Sequence, residues 1–78
     1  MNKKESVSIL YCILKFTRQN KRDPTIKNIL VNAPLHYLTL RERLFELAGE
    51  SFVELYKTKN KYRVKLTDVG KRCVECVI

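Results

Sequence analysis

Five basic side chains in the C-terminal third of the chain recur at every second position, at Lys57, Lys59, Lys61, Arg63 and Lys65. No acidic residue interrupts this row. Because residues two apart in an extended strand point to the same side, the spacing predicts that all five share one side of a hairpin. Like charges stacked in this way repel one another, whereas each phosphate they neutralise on a nucleic acid releases a counterion. The row therefore favours contacts with a phosphate backbone over an ordinary polar hairpin.

A predicted helix from His36 to Ala48 or Gly49 supplies the second set of candidate contact residues. Its apolar residues recur at spacings of three and four and define an inward face, at Tyr37, Leu40, Leu44 and Leu47. The other side would enter a DNA major groove and bring six residues near the bases: His36, Leu38, Thr39, Arg41, Glu42 and Arg43. The helix is thus the candidate reader of a base sequence.

Individual roles on this helix follow from the chemistry of base edges. Arg41 would pair with O6 and N7 of guanine, while Leu38 or Thr39 would contact a thymine methyl group. Arg41 and Arg43 equally fit exposed side chains balanced by the neighbouring glutamates. The apolar residues Leu38 and Phe45 equally fit a contact with another protein, so this face keeps two interpretations.

The overall charge points to the same class of partner. Among 78 residues, 16 Lys and Arg stand against eight Asp and Glu, which gives a formal net charge of +8. Such an excess predicts an anionic partner, with nucleic acid first among the possibilities, although a basic surface kept for solubility is the alternative. The hydrophobic fraction of 45% is typical of a folded chain, and the length allows one domain.

Residues for other chemistry are missing or badly spaced. There is no Ser-His-Asp set, no pair of catalytic carboxylates and no Gly-rich phosphate loop, so we expect neither an enzyme nor a cofactor. Cys73 and Cys76 form a C-x-x-C pair, but zinc needs four ligands and only Cys12 and His36 remain. Positions 73 and 76 share a helical face with Val69, which favours buried thiols over a metal site.

Targeting signals are also missing from the sequence. No stretch approaches the ~18 apolar residues of a membrane span, and no small-residue cleavage site follows the basic N-terminus. The odd cysteine count does not suggest a secreted disulfide framework. We therefore expect a cytoplasmic protein without a membrane or small-molecule partner.

Hydrophobic periodicity divides the chain into helices and one hairpin. Helices are predicted from about Lys4 to Gln19, Thr25 to Val31, His36 to Ala48 or Gly49, and Asp68 to Val77. Strands are predicted over residues 52–56 and 62–66, joined by a polar turn in which Asn60 can adopt a left-handed conformation. Asp23 or Thr25 can cap the second helix, and Thr67 the last. The order predicts a single α+β, mostly α, domain over residues 1–78.

Two segments resemble a known family. Residues 35–47, LHYLTLRERLFEL, resemble the recognition helix of small archaeal winged helix-turn-helix regulators, and residues 62–70, YRVKLTDVG, are similar to the Y-x-x-x-L-T-x-x-G segment that leaves the wing in that family. The resemblance implies three helices, a two-stranded wing and a C-terminal helix, and a regulator of transcription from an archaeon or an archaeal virus, in the cytoplasm of the host. Where the family usually has Gly before the wing, this chain has Ser51.

Apolar residues outside the expected core suggest a homodimer. Ile9, Cys12 and Phe16 form a second stripe on the first helix, and Val74 and Ile78 flank the expected core positions of the last. Two domains related by a two-fold axis would place their recognition helices ~34 Å apart and read a pseudo-palindrome of double-stranded DNA. The expected function is sequence-specific repression; the alternatives are a protein-interaction module and non-specific binding of nucleic acid.

Overall fold

The computed structural model describes residues 3–33 and 35–77. Four helices are present in these ranges: α1 (Lys3–Asn20), α2 (Ile26–Asn32), α3 (Tyr37–Gly49) and α4 (Asp68–Val77). Between α3 and α4, strands β1 (Val53–Thr58) and β2 (Lys61–Leu66) form a two-stranded antiparallel sheet. The predicted order of elements is confirmed, with boundaries that differ by a few residues.

One hydrophobic core joins all the elements. It contains Ile9, Leu10, Ile13 and Leu14 of α1, Ile26 and Ile29 of α2, Leu40, Leu44 and Leu47 of α3, Val53, Val64 and Leu66 of the hairpin, and Val74 of α4. The assignment of Ile9 to a dimer interface is wrong, because its side chain is 2% exposed within a single chain. Helix α1 packs against α2, β2 and α4. The wide apolar arc on α1 is therefore explained by contacts within one chain and needs no second chain to cover it.

Helix α4 is rotated from the orientation that the sequence predicts. Val74 is completely buried, whereas Val69 is 49% exposed and Cys76 is exposed. The expectations of Val74 at a dimer interface and of a buried Cys76 thiol are therefore wrong. The rotation follows from Gly70, which packs directly on the Phe52 carbonyl and brings the face shared with Val74 inward.

The start of α2 is attached to the hairpin. The Thr25 hydroxyl accepts a hydrogen bond from the Asn28 backbone amide, and Asn28 Oδ1 accepts from the Thr25 amide, which forms a capping box. Pro24, the residue before this cap, is bonded to β2: its carbonyl accepts a hydrogen bond of 2.9 Å from the Val64 amide. Helix α2 and the hairpin are thus held in a fixed relation.

Ser51 adopts the left-handed conformation that Gly usually supplies before the wing. Its φ is 67°, and the Phe52 and Ser51 amides donate to the carbonyls of Leu47 and Ala48 respectively. These two bonds are those of a Schellman motif, which requires a left-handed residue after the helix. Ser51 therefore supplies the left-handed residue that this connection between α3 and β1 requires.

No helix within residues 3–33 and 35–77 is both long enough and apolar enough to cross a lipid bilayer.

Candidate nucleic-acid interface

Helix α3 presents one face to solvent while the other is anchored in the core. Leu40, Leu44 and Leu47 are completely buried. The opposite face exposes Leu38 by 68% and Phe45 by 44%, and its Arg41 and Glu42 side chains are also exposed. Thr39 is half-buried at the edge of this face. The helix therefore offers a solvent-facing surface of the kind that enters a groove.

His36 and Tyr37 occupy the beginning of this face. His36 is the N-cap residue of α3 and is exposed, but its side chain makes no capping hydrogen bond. Tyr37, which the periodicity places inward, is 45% exposed. It lines a groove of about 380 Å³ between α2 and the hairpin, together with Lys27 and Lys61. Two lysines thus flank an open groove beside the start of α3.

Arg43 belongs to the framework and not to the contact surface. Its Nε donates to Glu5 Oε1 at 2.7 Å, and its other nitrogen NH1 lies 3.6 Å from Glu46 Oε1. The hydrogen bond to Glu5 raises the pKa of the Arg43 guanidinium. With its side chain 28% exposed, Arg43 connects α3 to α1, and the prediction that it contacts DNA is corrected.

The hairpin divides its basic residues between two faces. Cross-strand pairs share a face, and β1 residues pair with β2 residues so that Lys57 lies opposite Tyr62, and Leu55 opposite Val64. Lys57 is therefore on the core-facing side, where its Nζ lies 5.8 Å from the centre of the Tyr62 ring. The prediction that all five cations point to one side is wrong, because the chain reverses between Lys57 and Lys61 and the alternation does not continue through a turn.

The turn itself has the conformation that hairpins with two-residue loops favour. Lys59 and Asn60 have φ values of 44° and 69°, which suit the right-handed twist of the strands. The left-handed Asn60 that the sequence predicts is confirmed. Lys59 stands at the tip and is exposed.

Arg63 has a structural partner. Its NH1 donates to the Asp23 backbone carbonyl at 2.7 Å, and Arg63 forms an isolated bridge with Thr25. Across the strand, the Tyr56 hydroxyl donates to Asp23 Oδ2 at 2.5 Å, a bond that raises the pKa of Tyr56. Arg63 is half-buried and holds the segment before α2 to the sheet. Its guanidinium is therefore engaged within the molecule, unlike the hairpin lysines.

Four hairpin lysines remain without ion pairs. In residues 3–33 and 35–77, no carboxylate lies within ion-pairing distance of Lys57, Lys59, Lys61 or Lys65, and all four are exposed. Glu54 lies opposite Lys65 in the register and reduces the field there. The most strongly cationic part of the hairpin is therefore its tip, at Lys59 and Lys61.

A cluster of two cations and two aromatic rings joins α3 to the hairpin. The Phe45 and Tyr62 ring centres lie 5.8 Å apart with an interplanar angle of 78°. The Arg41 guanidinium carbon lies 5.6 Å from the Phe45 ring centre and 5.9 Å from that of Tyr62. Together with Lys57 these residues are named the Arg41 cluster. The sequence offers one clue to it, the spacing of four between Arg41 and Phe45 on one helix.

The remaining candidate interface residues lie on α1. Cys12 and Phe16 are half-buried, and Tyr11 beside them is 44% exposed. Burial raises the pKa of the Cys12 thiol, with Lys15 opposing the shift. Ile78 lies outside the described residues. Among those described, no three His, Cys, Asp or Glu side chains converge as metal ligands.

Solved structures share this fold, although no protein-family model matches the chain and no curated protein matches its sequence. AF1382 from Archaeoglobus fulgidus aligns with a TM-score of 0.88 at 17% identity, over 99% of this chain and 84% of that one. Sso10a-2, a DNA-binding protein from Sulfolobus solfataricus, aligns with a TM-score of 0.70 at 17% identity, over 91% and 72%.

A longer bacterial protein shares the fold as well. BpsR of Bordetella bronchiseptica, whose DNA binding is regulated by 6-hydroxynicotinic acid, aligns with a TM-score of 0.79 at 15% identity over 95% of this chain. This chain spans about half (51%) of BpsR. The winged helix-turn-helix fold that the sequence predicts is confirmed.

Proposed function

We propose that this protein is a transcription regulator that binds a specific site in double-stranded DNA as a homodimer and represses by occupying it. One observation carries the proposal: the exposed face of α3 lies beside a hairpin whose lysines have no carboxylate partner. An α-helix fits the DNA major groove, and a neighbouring cationic hairpin meets the phosphates. The fold shared with DNA-binding regulators supports this interpretation.

The distribution of charge gives the hairpin and helix α3 different expected roles. In the described part of the chain, the carboxylates that form ion pairs belong to helices and not to the hairpin. Glu5 and Glu46 contact Arg43, and Glu75 lies 3.7 Å from Arg18. The hairpin lysines keep their charge for phosphates, which fixes position without reading sequence. Sequence would be read on α3, by Arg41 at guanine, by Leu38 or Thr39 at a thymine methyl, and by Glu42 at a cytosine amino group.

A salt titration tests the proposal and its alternatives. If the four hairpin lysines neutralise about four phosphates, log K should fall with log salt with a slope of about −3.6 per protomer. A specific site, selected from random duplexes, should bind ~10³-fold or more tightly than competitor DNA. Binding with the same slope but with equal affinity for the selected site and for competitor DNA would show that the protein binds nucleic acid non-specifically. Absence of DNA binding would refute the proposal.

Substitutions in the hairpin sharpen this test. Lys59→Ala and Lys61→Ala should each weaken binding to every duplex and reduce the slope by about one. Lys71→Ala is the matched control, because Lys71 is an exposed lysine on α4 and lies outside the hairpin. An equal effect of Lys71→Ala would mean that net charge, and not the hairpin, governs binding.

The exposed apolar residues of α3 favour one second candidate, a protein-interaction module. Leu38 is 68% exposed and lies with Phe45 in a shallow depression on the outer face of α3. A partner protein would bury Leu38 in its own apolar pocket. Leu38→Ser separates the two functions. If α3 reads DNA, the substitution should change the preference at one base pair and leave binding to competitor DNA intact. If α3 binds a protein, it should change neither.

The dimer is proposed to form through the outer surface of α1. Two adjoining grooves of about 310 and 360 Å³ share Cys12 and Asn32 on this surface, and the exposed Tyr11 lines one of them.

Sedimentation tests the dimer. Tyr11→Glu should shift the equilibrium to monomer, because a charge would be buried without a partner. Val69→Glu, at a valine 49% exposed on α4, is the control that should leave the mass unchanged. A wild-type mass equal to one chain at all concentrations would refute the dimer while leaving DNA binding open to the titration above.

A further inference from the structure

The two arginines on the middle of α3 use their guanidinium groups in opposite ways. Arg43 donates to Glu5 and faces Glu46, so its N–H groups are engaged within the molecule. Arg41 instead rests against two aromatic rings, and in residues 3–33 and 35–77 it neither donates a hydrogen bond nor meets a carboxylate. A cation–π contact involves the charge of the guanidinium and engages none of its N–H groups with a carboxylate or carbonyl oxygen. The donors of Arg41 therefore stay free.

The rings beside Arg41 belong to two different elements. Phe45 is one helical turn further along α3, and Tyr62 comes from β2. Both ring centres lie within the ~6 Å range in which a cation is attracted to an aromatic face. The two rings also contact each other edge to face, a favourable arrangement that fixes their relative orientation. Arg41 is thus restrained by contacts that a lone exposed arginine lacks.

We propose that Phe45 and Tyr62 are positioning residues that hold Arg41 ready to read a guanine. The inference rests on the proposed function, in which α3 enters the major groove. The free N–H edge of Arg41 would meet O6 and N7 of guanine in a bidentate contact, which a planar fork makes better than a flexible ammonium. Phe45 then has a role other than a protein contact, since its exposed ring supports the arginine.

The expected size of the effect follows from side-chain entropy. Immobilising a flexible side chain at an interface weakens binding by roughly 2- to 12-fold. An arginine already ordered in the free protein has lost this freedom before it meets DNA, and its restricted pose disfavours contacts with other bases. Removing one ring should therefore lower the preference for guanine at one base pair by the same roughly 2- to 12-fold.

The first test uses the protein without DNA. NMR relaxation of the side-chain Nε–H groups should show Arg41 more ordered than Arg72, which is exposed on α4. Phe45→Leu should raise the mobility of Arg41 toward that of Arg72, whereas Phe45→Tyr and Tyr62→Phe should retain the order. If Arg41 is as mobile as Arg72 in the wild-type protein, or if Phe45→Leu leaves its order unchanged, the positioning role is overturned.

The second test measures binding to a selected site and to variants with each base pair changed. Arg41→Ala should relax the preference at one G·C pair by roughly 5- to 150-fold, the whole contribution of a bidentate contact, and Phe45→Leu should relax it at the same pair by less. Phe45→Tyr should restore the preference. Combining Arg41→Ala with Phe45→Leu should add nothing to Arg41→Ala alone, since the ring acts only through the arginine.

Failures of the two ideas are distinguishable. If Arg41→Ala relaxes one base pair while Phe45→Leu relaxes none, α3 reads DNA as proposed and the positioning role alone is overturned. An equal loss of affinity for specific and competitor DNA in Phe45→Leu would show a merely structural role for the ring and also overturn it. If Arg41→Ala alters no base preference, the assignment of Arg41 as a reader fails together with the inference built on it.

Discussion

Helix α4 approaches the hairpin so closely that Gly70 has no room for a side chain. A Cβ at this position would lie 2.1 Å from the Phe52 carbonyl oxygen and 3.0 Å from Leu66 Cδ1. The same oxygen accepts hydrogen bonds from the Thr67 amide at 3.2 Å and the Thr67 hydroxyl at 3.0 Å. Gly70→Ala must therefore displace backbone that is already hydrogen-bonded.

The expected loss can be worked from these contacts. Overpacking costs about 1–3 kcal/mol, weakening one of the Thr67 bonds about 1 kcal/mol, and the helix propensity of Ala returns up to about 1 kcal/mol. We expect Gly70→Ala to lower the free energy of unfolding by about 2 kcal/mol, out of the roughly 4–12 kcal/mol typical of a domain this long. Urea denaturation followed by far-UV circular dichroism measures the change.

Gly49 provides the matched control. It ends α3, and a Cβ there would meet nothing within 4 Å, so Gly49→Ala should raise the free energy of unfolding by up to about 1 kcal/mol. Opposite signs for the two substitutions are the expected result. A Gly70→Ala variant as stable as the wild type would refute the close packing of α4 on Phe52 and the account of why Val74 faces inward.

Three further predictions follow from local features. Ser51→Gly should raise the free energy of unfolding by about 1 kcal/mol in the same assay, because the left-handed conformation at Ser51 strains any residue with a Cβ. Ultraviolet titration should show Tyr56 ionising later than an ordinary tyrosine, and Asp23→Asn should reverse this. Since the pKa of Tyr56 is raised by folding, its stabilising contribution is present below the ordinary pKa of ~10 and is lost as pH rises further. A thiol reagent should label the exposed Cys76 before Cys12, whose pKa burial raises; mass spectrometry of partly labelled protein gives the order.

Local patterns were enough for the elements and for the outward face of α3. The spacing of Leu40, Leu44 and Leu47 placed that helix correctly, and Thr25 and Asn60 carry short-range signals for a cap and a turn. These features depend on residues within one or two turns of each other. They are therefore readable without knowledge of the tertiary structure.

The errors concern partners far apart in sequence or a change of chain direction. Arg43 meets Glu5 across 38 residues and Arg63 meets Asp23 across 40 residues, and no periodicity encodes such pairs. The side taken by Lys57 was open to prediction, since a two-residue turn at Lys59 and Asn60 pairs Lys57 with Tyr62 and reverses the parity. Gly70 misled the pattern for α4, because a residue without a side chain still determines which face is buried.

The attachment of β2 to the segment before α2 makes the base of the hairpin a small three-part ribbon, with Val64 bonded to Pro24 and Arg63 to Asp23. The tip at Lys59 and Asn60 has no such connection. Loop length can therefore vary at the tip, and with it the reach along a neighbouring groove, while the angle between the hairpin and the helices stays constant. A single residue inserted within β2 would instead exchange the two faces of the strand and break its bonds to Pro24 and Asp23. We therefore expect the domain to tolerate insertions at the hairpin tip and not within β2.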